Sequence, residues 1–393
     1  MTQPWALRAA RLFDGAALHH GSPLVVIREG SVVAVDLSGA HPAHDLPVVD
    51  LGEATLLPGL VDAHTHLGFE PGALDPRPLR ADDVEAREAL AARMRRHAEQ
   101  ALRAGVTTVR DLGDWDYLAL EIRDGFAAGG GLGPEILASG PPITSTGGHC
   151  WFLGGEADSP EELRAAVAER VDRGVDVVKV MATGGGITPG SAPYESQYDV
   201  ERLRVVVEAA HSAQMMVTAH AHGTGGIADA VYAGVDGVEH GTFMTADGAV
   251  ADWDVVRVMA ERGVYVGVTA GRVLGGAPLS PRVIAARKLL PRMREEGVRL
   301  VCSSDAGVVV EKPHDCLPYG LEEFRSFVDI SPVEVLATVT GLAADSCGVG
   351  DRKGRVRAGS DADFVAVSGD PGEDLGALRS VVAVYRAGQR VEL

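Results

Sequence analysis

The sequence predicts an α/β fold: a (β/α)8 TIM barrel with a small β-sandwich domain formed by the N- and C-terminal segments. Three observations predict it. Apolar, strand-like runs alternate with helical patterns through the middle of the chain, and the runs number eight. Short β-rich runs with glycine turns occupy both ends. The 393 residues suit a barrel of about 250 residues with a smaller satellite.

Residues 1–55 read as short strands. Leu24 to Val35 is a pair of β-rich runs around a Glu29-Gly30-Ser31 turn, the pattern of a hairpin. The far end answers it with Ala362–Val367 and Val381–Val391, again around a glycine turn. The expected division is therefore 1–55 and 350–393 for the sandwich and 56–349 for the barrel.

The barrel strands are expected at Leu56–His66, Thr107–Leu112, Glu135–Ser139, Asp176–Met181, Met215–His220, Gly237–His240, Val264–Val268 and Arg299–Ser303. Helical patterns fall between most of them, at 81–104, 160–173, 199–213, 224–233, 252–262 and 281–296. A doubly wound open sheet is the alternative, but it would not gather residues from every strand around one axis.

Composition narrows the partners. Hydrophobic residues make up 46% and charged residues 23%, the balance of a soluble globular chain. A net charge of −19 argues against nucleic acid or an anionic membrane as partner, since both need a basic surface. A small-molecule substrate is expected, and a homo-oligomer is left open. The four cysteines form no Cys-x-x-Cys pair, so a reduced, cytoplasmic chain is the simple reading. No basic start followed by an apolar core marks a signal peptide, and no apolar run reaches the ~18 residues of a membrane span.

Polar residues recur at the strand ends, where barrel active sites sit. His64 and His66 lie two apart on one strand, so their side chains point to one face. Lys179 interrupts an apolar strand. His220, His240 and Asp305 each end a strand. Each alone reads equally as an internal hydrogen-bonding residue. Together, four imidazoles, an amine and a carboxylate form a donor set for two divalent ions such as Zn²⁺, Mn²⁺ or Co²⁺. A lysine in an apolar strand is driven toward its neutral amine, which can add carbon dioxide to give a bridging carbamate.

These residues resemble the metal ligands of the amidohydrolase superfamily. Leu57-Pro-Gly-Leu-Val-Asp-Ala-His-Thr-His66, Val177-Val-Lys-Val-Met-Ala-Thr-Gly-Gly185, Ala219-His-Ala-His-Gly223 and Glu239-His-Gly-Thr242 are similar to its prolidase-like (Xaa-Pro dipeptidase) and imidazolonepropionase-like branch. So are Ser304-Asp-Ala-Gly307 and Val356-Arg-Ala-Gly-Ser-Asp-Ala-Asp-Phe-Val365. The resemblance covers nearly the whole chain and implies two metal ions, usually zinc. His64, His66 and Asp305 would hold the more buried ion and His220 and His240 the other, with N6-carboxylated Lys179 bridging them. It implies hydrolysis of an amide-type C–N bond by a hydroxide bridging the binuclear centre, with Asp305 as general base and then general acid. His149 would be a substrate or oxyanion contact.

Further candidates are less specific. His222 shares a face with His220 and is expected to touch substrate, with replacement of His220 as ligand the alternative. Asp62 is either a supporting carboxylate or a plain interior one. Arg272 could meet a substrate carboxylate, against the plainer reading of a solvated arginine. Tyr194 and Tyr198 lie in a Gly/Pro/Ser-rich loop long enough for a wall or lid. His314 lines the mouth or is an exposed loop residue. Cys150 beside His149 suggests a Cys–His nucleophile, which the metal set makes unnecessary.

The expected substrates are dipeptides or N-acyl amino acids. A cyclic amide, carbamate or urea is the rival within enzymes. A non-catalytic binding or assembly protein on the same fold is the rival outside them.

Overall fold

The computed structural model describes residues 3–39, 46–73, 77, 83–273 and 275–393. Eight parallel strands run through the middle: β1 (Leu60–Thr65), β2 (Val106–Asp111), β3 (Glu135–Ala138), β4 (Val178–Met181), β5 (Val217–Gly223), β6 (Gly237–Met244), β7 (Tyr265–Thr269) and β8 (Arg299–Ser303). They pair in sequence order as a three-stranded and a five-stranded sheet, without the order reversal of a doubly wound sheet. Backbone hydrogen bonds cross both seams. Between β3 and β4, Ile143 N–H donates to Lys179 C=O at 2.8 Å and Met181 N–H to Ile143 C=O at 2.8 Å. Between β8 and β1, Asp305 N–H donates to His64 C=O at 2.7 Å and His66 N–H to Ala306 C=O at 3.0 Å.

The expected strand Leu56–His66 is two strands. Thr55–Pro58 pairs with Arg11–Phe13 and Phe364–Val367 in a six-stranded terminal sheet, and β1 starts at Leu60. Proline ends the first ladder because it has no amide to donate. Gly59 fits the junction because a Cβ there would lie 2.0 Å from Thr107 Oγ1.

A second terminal sheet, of four strands, comes from residues 5–50 and contains the expected hairpin, Leu24–Arg28 with Ser31–Asp36. Its Leu7, Ile27 and Val32 share one core with Leu12, Leu56 and Phe364 of the six-stranded sheet. A charged knot ties this region to β3. Lys353, 3% exposed, sits 3.0 Å from Glu135 Oε2 and 2.8 Å from Asp361 Oδ2 and also contacts Asp363. Arg386 joins Glu135 and Asp363 at 3.2 and 3.1 Å.

The helices mostly follow their expected positions and announce themselves by caps. Pro160–Arg173 opens on a Ser159/Glu162 capping box and closes on Gly174 at φ 78°. Residues 81 and 82 of the expected helix 81–104 lie outside the described residues, and the helix spans Val84–Arg103. The expected helix 281–296 is two, Pro281–Arg287 and Leu290–Glu295, since Pro291 cannot donate into the ladder of the preceding turn. Among the described residues no single helix is long and apolar enough to cross a membrane.

Candidate metal centre and active site

The six expected ligands fall in two donor groups, with Lys179 as the remaining member: His64, Lys179, His220 and His240 lie within β1, β4, β5 and β6, so His220 and His240 do not end their strands as expected, and His66 and Asp305 follow the ends of β1 and β8. The first group is His64, His66 and Asp305 and the second is His220, His222 and His240; within each, one donor atom per residue lies within 4.8 Å of the others.

Proton positions in the first group follow from its partners. His64 Nδ1 lies 2.8 Å from Glu239 Oε2 and His66 Nδ1 lies 3.3 Å from the Gly113 carbonyl. Both partners can only accept, so each Nδ1 carries the proton and each Nε2 presents a lone pair. Those two Nε2 atoms are 3.3 Å apart, and each is 3.4 Å from Asp305 Oδ1. Three lone pairs facing one another with no hydrogen between them fit a cation.

In the second group, His220 Nε2 donates to the Gly184 carbonyl at 3.0 Å, which leaves its Nδ1 free. The rings of His220 and His240 have centroids 4.7 Å apart, and His222 stacks on His240 at 4.3 Å. Burial favours the neutral, ligand form at four of these imidazoles: it lowers His64 and His222 to about 4 and His220 and His240 well below the ordinary value.

Lys179 is 1% exposed, and its Nζ has no hydrogen-bond partner among the described residues. Burial brings its pKa down to about 8. A buried amine without an acceptor is costly as it stands. Carboxylation would turn it into an anionic oxygen pair beside two sets of neutral nitrogens, so the residues present fit two divalent ions.

Two candidates hold strained backbones. His240 has φ 71° and Asp305 φ 58°, in the left-handed region that L-residues rarely occupy. The effect at His240 is visible. Strand alternation would turn Glu239 and His240 to opposite faces, yet both reach His64, the first by its hydrogen bond and the second with ring centroids 5.2 Å apart. Asp305 is held well below the usual carboxylate range. Burial alone would raise it, but positively charged neighbours, the Lys312 ammonium among them, outweigh that.

A layer of buried charges supports the histidines, and sequence reasoning missed most of it. Arg110 Nη2 and Thr218 Oγ1 both donate to Glu239 Oε1, at 3.0 and 2.7 Å, which aims the other oxygen at His64. The available signal was the one that exposed Lys179: a charged residue inside an apolar strand. Asp62 accepts from Ser304 N–H at 3.0 Å and from the Ser304 hydroxyl, so it fixes the chain just before Asp305. Burial pushes its carboxyl up to about 6.

The remaining candidates separate clearly. His149 is buried, its ring centroid 4.6 Å from that of His220 and its Nδ1 without a partner among the described residues. Gly185 makes room for it, since a Cβ there would lie 2.3 Å from His149 Nε2. Cys150 is buried, and burial pushes its thiol up to about 12, which disfavours the thiolate that a nucleophile needs. Tyr194 lies at the surface under the Arg282 guanidinium, 5.6 Å away. Tyr198 forms no wall: it is buried and donates to the Ala157 carbonyl at 2.6 Å. His314 is neither exposed nor at the mouth. It stacks on His97 with centroids 3.9 Å apart and bonds the His66 carbonyl at 3.1 Å.

Beside Asp305, His222 and His240 opens a cleft of about 450 Å³, and Arg272 lines it. Arg272 Nη2 donates to the Ala277 carbonyl at 2.5 Å, and the side chain has no ion-pair partner among the described residues. It is half-buried, and its hydrogen bond to Ala277 lies at a solvent-exposed position.

A model of the amidohydrolase family matches residues 55–391. The chain belongs to the amidohydrolase family. This amidohydrolase is 27% identical over 399 aligned residues to an ochratoxinase of Aspergillus niger, covering 90% of the chain and 77% of that relative. It is 26% identical over 377 residues to an imidazolonepropionase of Salinispora tropica, covering 88% and 86%. Its fold matches the crystal structure of a Xaa-Pro dipeptidase with methionine bound in the active site, at TM-score 0.84 and 28% identity over 99% of this chain and 100% of that one. The amidohydrolase is thus a hydrolase acting on carbon–nitrogen bonds, with a TIM-barrel-type fold and a separate domain. The family is generally metal-dependent, in keeping with the two donor groups.

Proposed function

We propose that this amidohydrolase cleaves the C–N amide bond of a dipeptide or N-acyl amino acid at a binuclear metal centre. The observation that carries the reading is the buried amine of Lys179, unpartnered among the described residues, beside two sets of lone-pair donors. His64, His66 and Asp305 would hold one ion, His220 and His240 the other, and Lys179, carboxylated on Nζ, would join them. Mixed imidazole and carboxylate donors suit zinc. When bound, such a pair of ions supplies an acidified water near neutral pH and an electrophile for a carbonyl oxygen.

The chain's own residues do the rest. Asp305, kept ionised, accepts the proton of the attacking water and delivers it to the amide nitrogen as the C–N bond breaks, leaving a carboxylate and an amine. His149, neutral and with a free nitrogen, faces the carbonyl oxygen as a hydrogen-bond donor. Arg272 receives the free carboxylate of the substrate, and His222 and Tyr194 contact its remainder. The known dipeptidase with methionine in its active site supports an amino-acid product.

The same reading takes the parallel strands as a closed (β/α)8 barrel spanning 56–349, supported by hydrogen bonds at both seams, with residues 1–55 and 350–393 as a β-sandwich. The four cysteines, all free and buried, fit a reducing compartment such as the cytoplasm.

The test is a substrate screen with zinc and bicarbonate present, setting dipeptides and N-acyl amino acids against lactams, carbamates and ureas. Hits that share a free carboxylate are expected. Turnover confined to lactams, carbamates or ureas overturns the reading.

A further inference from the structure

We propose that the cleft beside Asp305 receives the side chain of the amino acid that leaves as the amine, and that this side chain is large and apolar, as in leucine, methionine or phenylalanine. The inference rests on the reaction proposed above.

Orientation comes first. Asp305 lines the cleft and gives its proton to the departing nitrogen, so the leaving half of the substrate lies on this side. Arg272 lines the same cleft and lacks an ion-pair partner among the described residues. A carboxylate on its guanidinium and a nitrogen at Asp305 place the α-carbon between them. The side chain then continues toward the remaining walls.

The lining is mainly apolar. Leu279, Val283, Ala286 and Leu290 come from the loop after β7 and the two helices that follow, and Val268 and Val308 line it as well. Among its hydroxyls, Thr242 and Thr269 are engaged by His222 and His240. The charges among the lining residues are already engaged. Arg287 pairs with Glu323 and covers the Phe327 ring at 4.8 Å. Lys312 donates to the carbonyls of Thr269 and Ser304 at 3.0 and 2.6 Å. Glu311 accepts from Ala277 N–H at 3.0 Å, and its backbone carbonyl accepts from Val273 N–H at 2.9 Å, which ties the loop after β7 to the loop after β8. An acidic side chain would find no unengaged cation in the lining beyond Arg272, and a polar one would find few hydrogen-bonding groups to replace lost water. The volume, about 450 Å³, lies in the range of pockets that enclose sizeable ligands. Glycine or alanine would leave most of it unfilled.

The experiment uses the zinc-loaded full chain and two readouts. The first is kcat/KM for the N-acetyl derivatives of glycine, alanine, leucine, methionine, phenylalanine, aspartate and lysine. The second is calorimetric binding of free leucine, phenylalanine and glycine. Leucine, methionine and phenylalanine derivatives should exceed glycine by roughly 10- to 100-fold, the gain expected from burying such side chains. Val283→Asp, on a half-buried helix face, and Leu279→Asp, in the loop, should each cut the phenylalanine-to-glycine ratio at least about tenfold. A flat series, or one led by aspartate or lysine, overturns the subsite while leaving the reaction in place. Selective binding of free leucine and phenylalanine, with no turnover of any derivative, sinks the reaction and supports the subsite. Absence of both overturns both.

Discussion

Glu239 Oε2 lies 2.8 Å from His64 Nδ1, and its other oxygen is engaged by Arg110 and Thr218. One carboxylate thus fixes both the tautomer and the orientation of an imidazole whose second nitrogen faces the proposed ion. Glu239→Gln should weaken zinc binding by about 10- to 100-fold, measured by competition with a chromogenic chelator, as expected for partners of ligating histidines. An unchanged zinc affinity would remove Glu239 from this role.

Lys179 has the opposite problem, an amine with no hydrogen-bond partner among the described residues. Lys179→Ala should lose much of the metal on gentle purification, with part of the activity restored by short carboxylic acids such as acetate or propionate. Full zinc content and full activity in that variant would show the bridge to be wrongly assigned.

Asp305 is positioned to move the proton between water and amine. Asp305→Asn should slow kcat by about 10²-fold or more while far-ultraviolet circular dichroism stays unchanged. Turnover at the normal rate would exclude it from the proton path.

Arg272 should act on binding and little on the chemical step. Arg272→Met is expected to raise KM for N-acyl amino acids by about 10- to 100-fold with kcat within a few-fold, the signature of a contact present equally in ground and transition states. If the variant treats the free acids and their methyl esters as the native enzyme does, the carboxylate is recognised elsewhere.

Part of the acid stability is expected away from the candidate ligands, at Glu135. Burial would raise its pKa, but hydrogen bonding to Arg352 and the charge of Lys353 bring it down to about 2, below an unfolded value near 4.3. A lowered folded-state pKa means that stability is present in full above the unfolded value and drains away as pH falls toward 2. Chemical denaturation between pH 6 and 2.5 should show this loss, and Glu135→Gln should flatten the lower part of the curve. An identical pH profile in the variant would place the acid sensitivity elsewhere.

Much of this architecture could be read from the chain, for a physical reason. Strands buried on both faces are continuous apolar runs, so a histidine, lysine or aspartate at their ends stands out against its neighbours. That contrast is why His64, His66, Lys179, His220, His240 and Asp305 were visible. It failed where everything was apolar: residues 55–61 gave no sign that Pro58 and Gly59 divide two sheets. The helix Leu118–Ala127 also went unseen, since it starts after Tyr117 at φ 58° with no side-chain cap to mark it. His314 and Tyr198 were misplaced because their partners, His97 and the Ala157 carbonyl, lie far away in sequence. No local pattern encodes such a meeting.

The junction at Gly59 limits how this enzyme can move. Its amide donates to the Asp363 carbonyl at 2.9 Å, and the Thr107 side chain packs where a Cβ would stand. With one residue between Thr55–Pro58 and β1, this link gives little slack for the terminal sheets to rotate against the parallel strands. Admission of substrate therefore falls to the segments beyond the strand ends, and tethering the protein by either terminus to a solid support would transmit little swivel to the histidines.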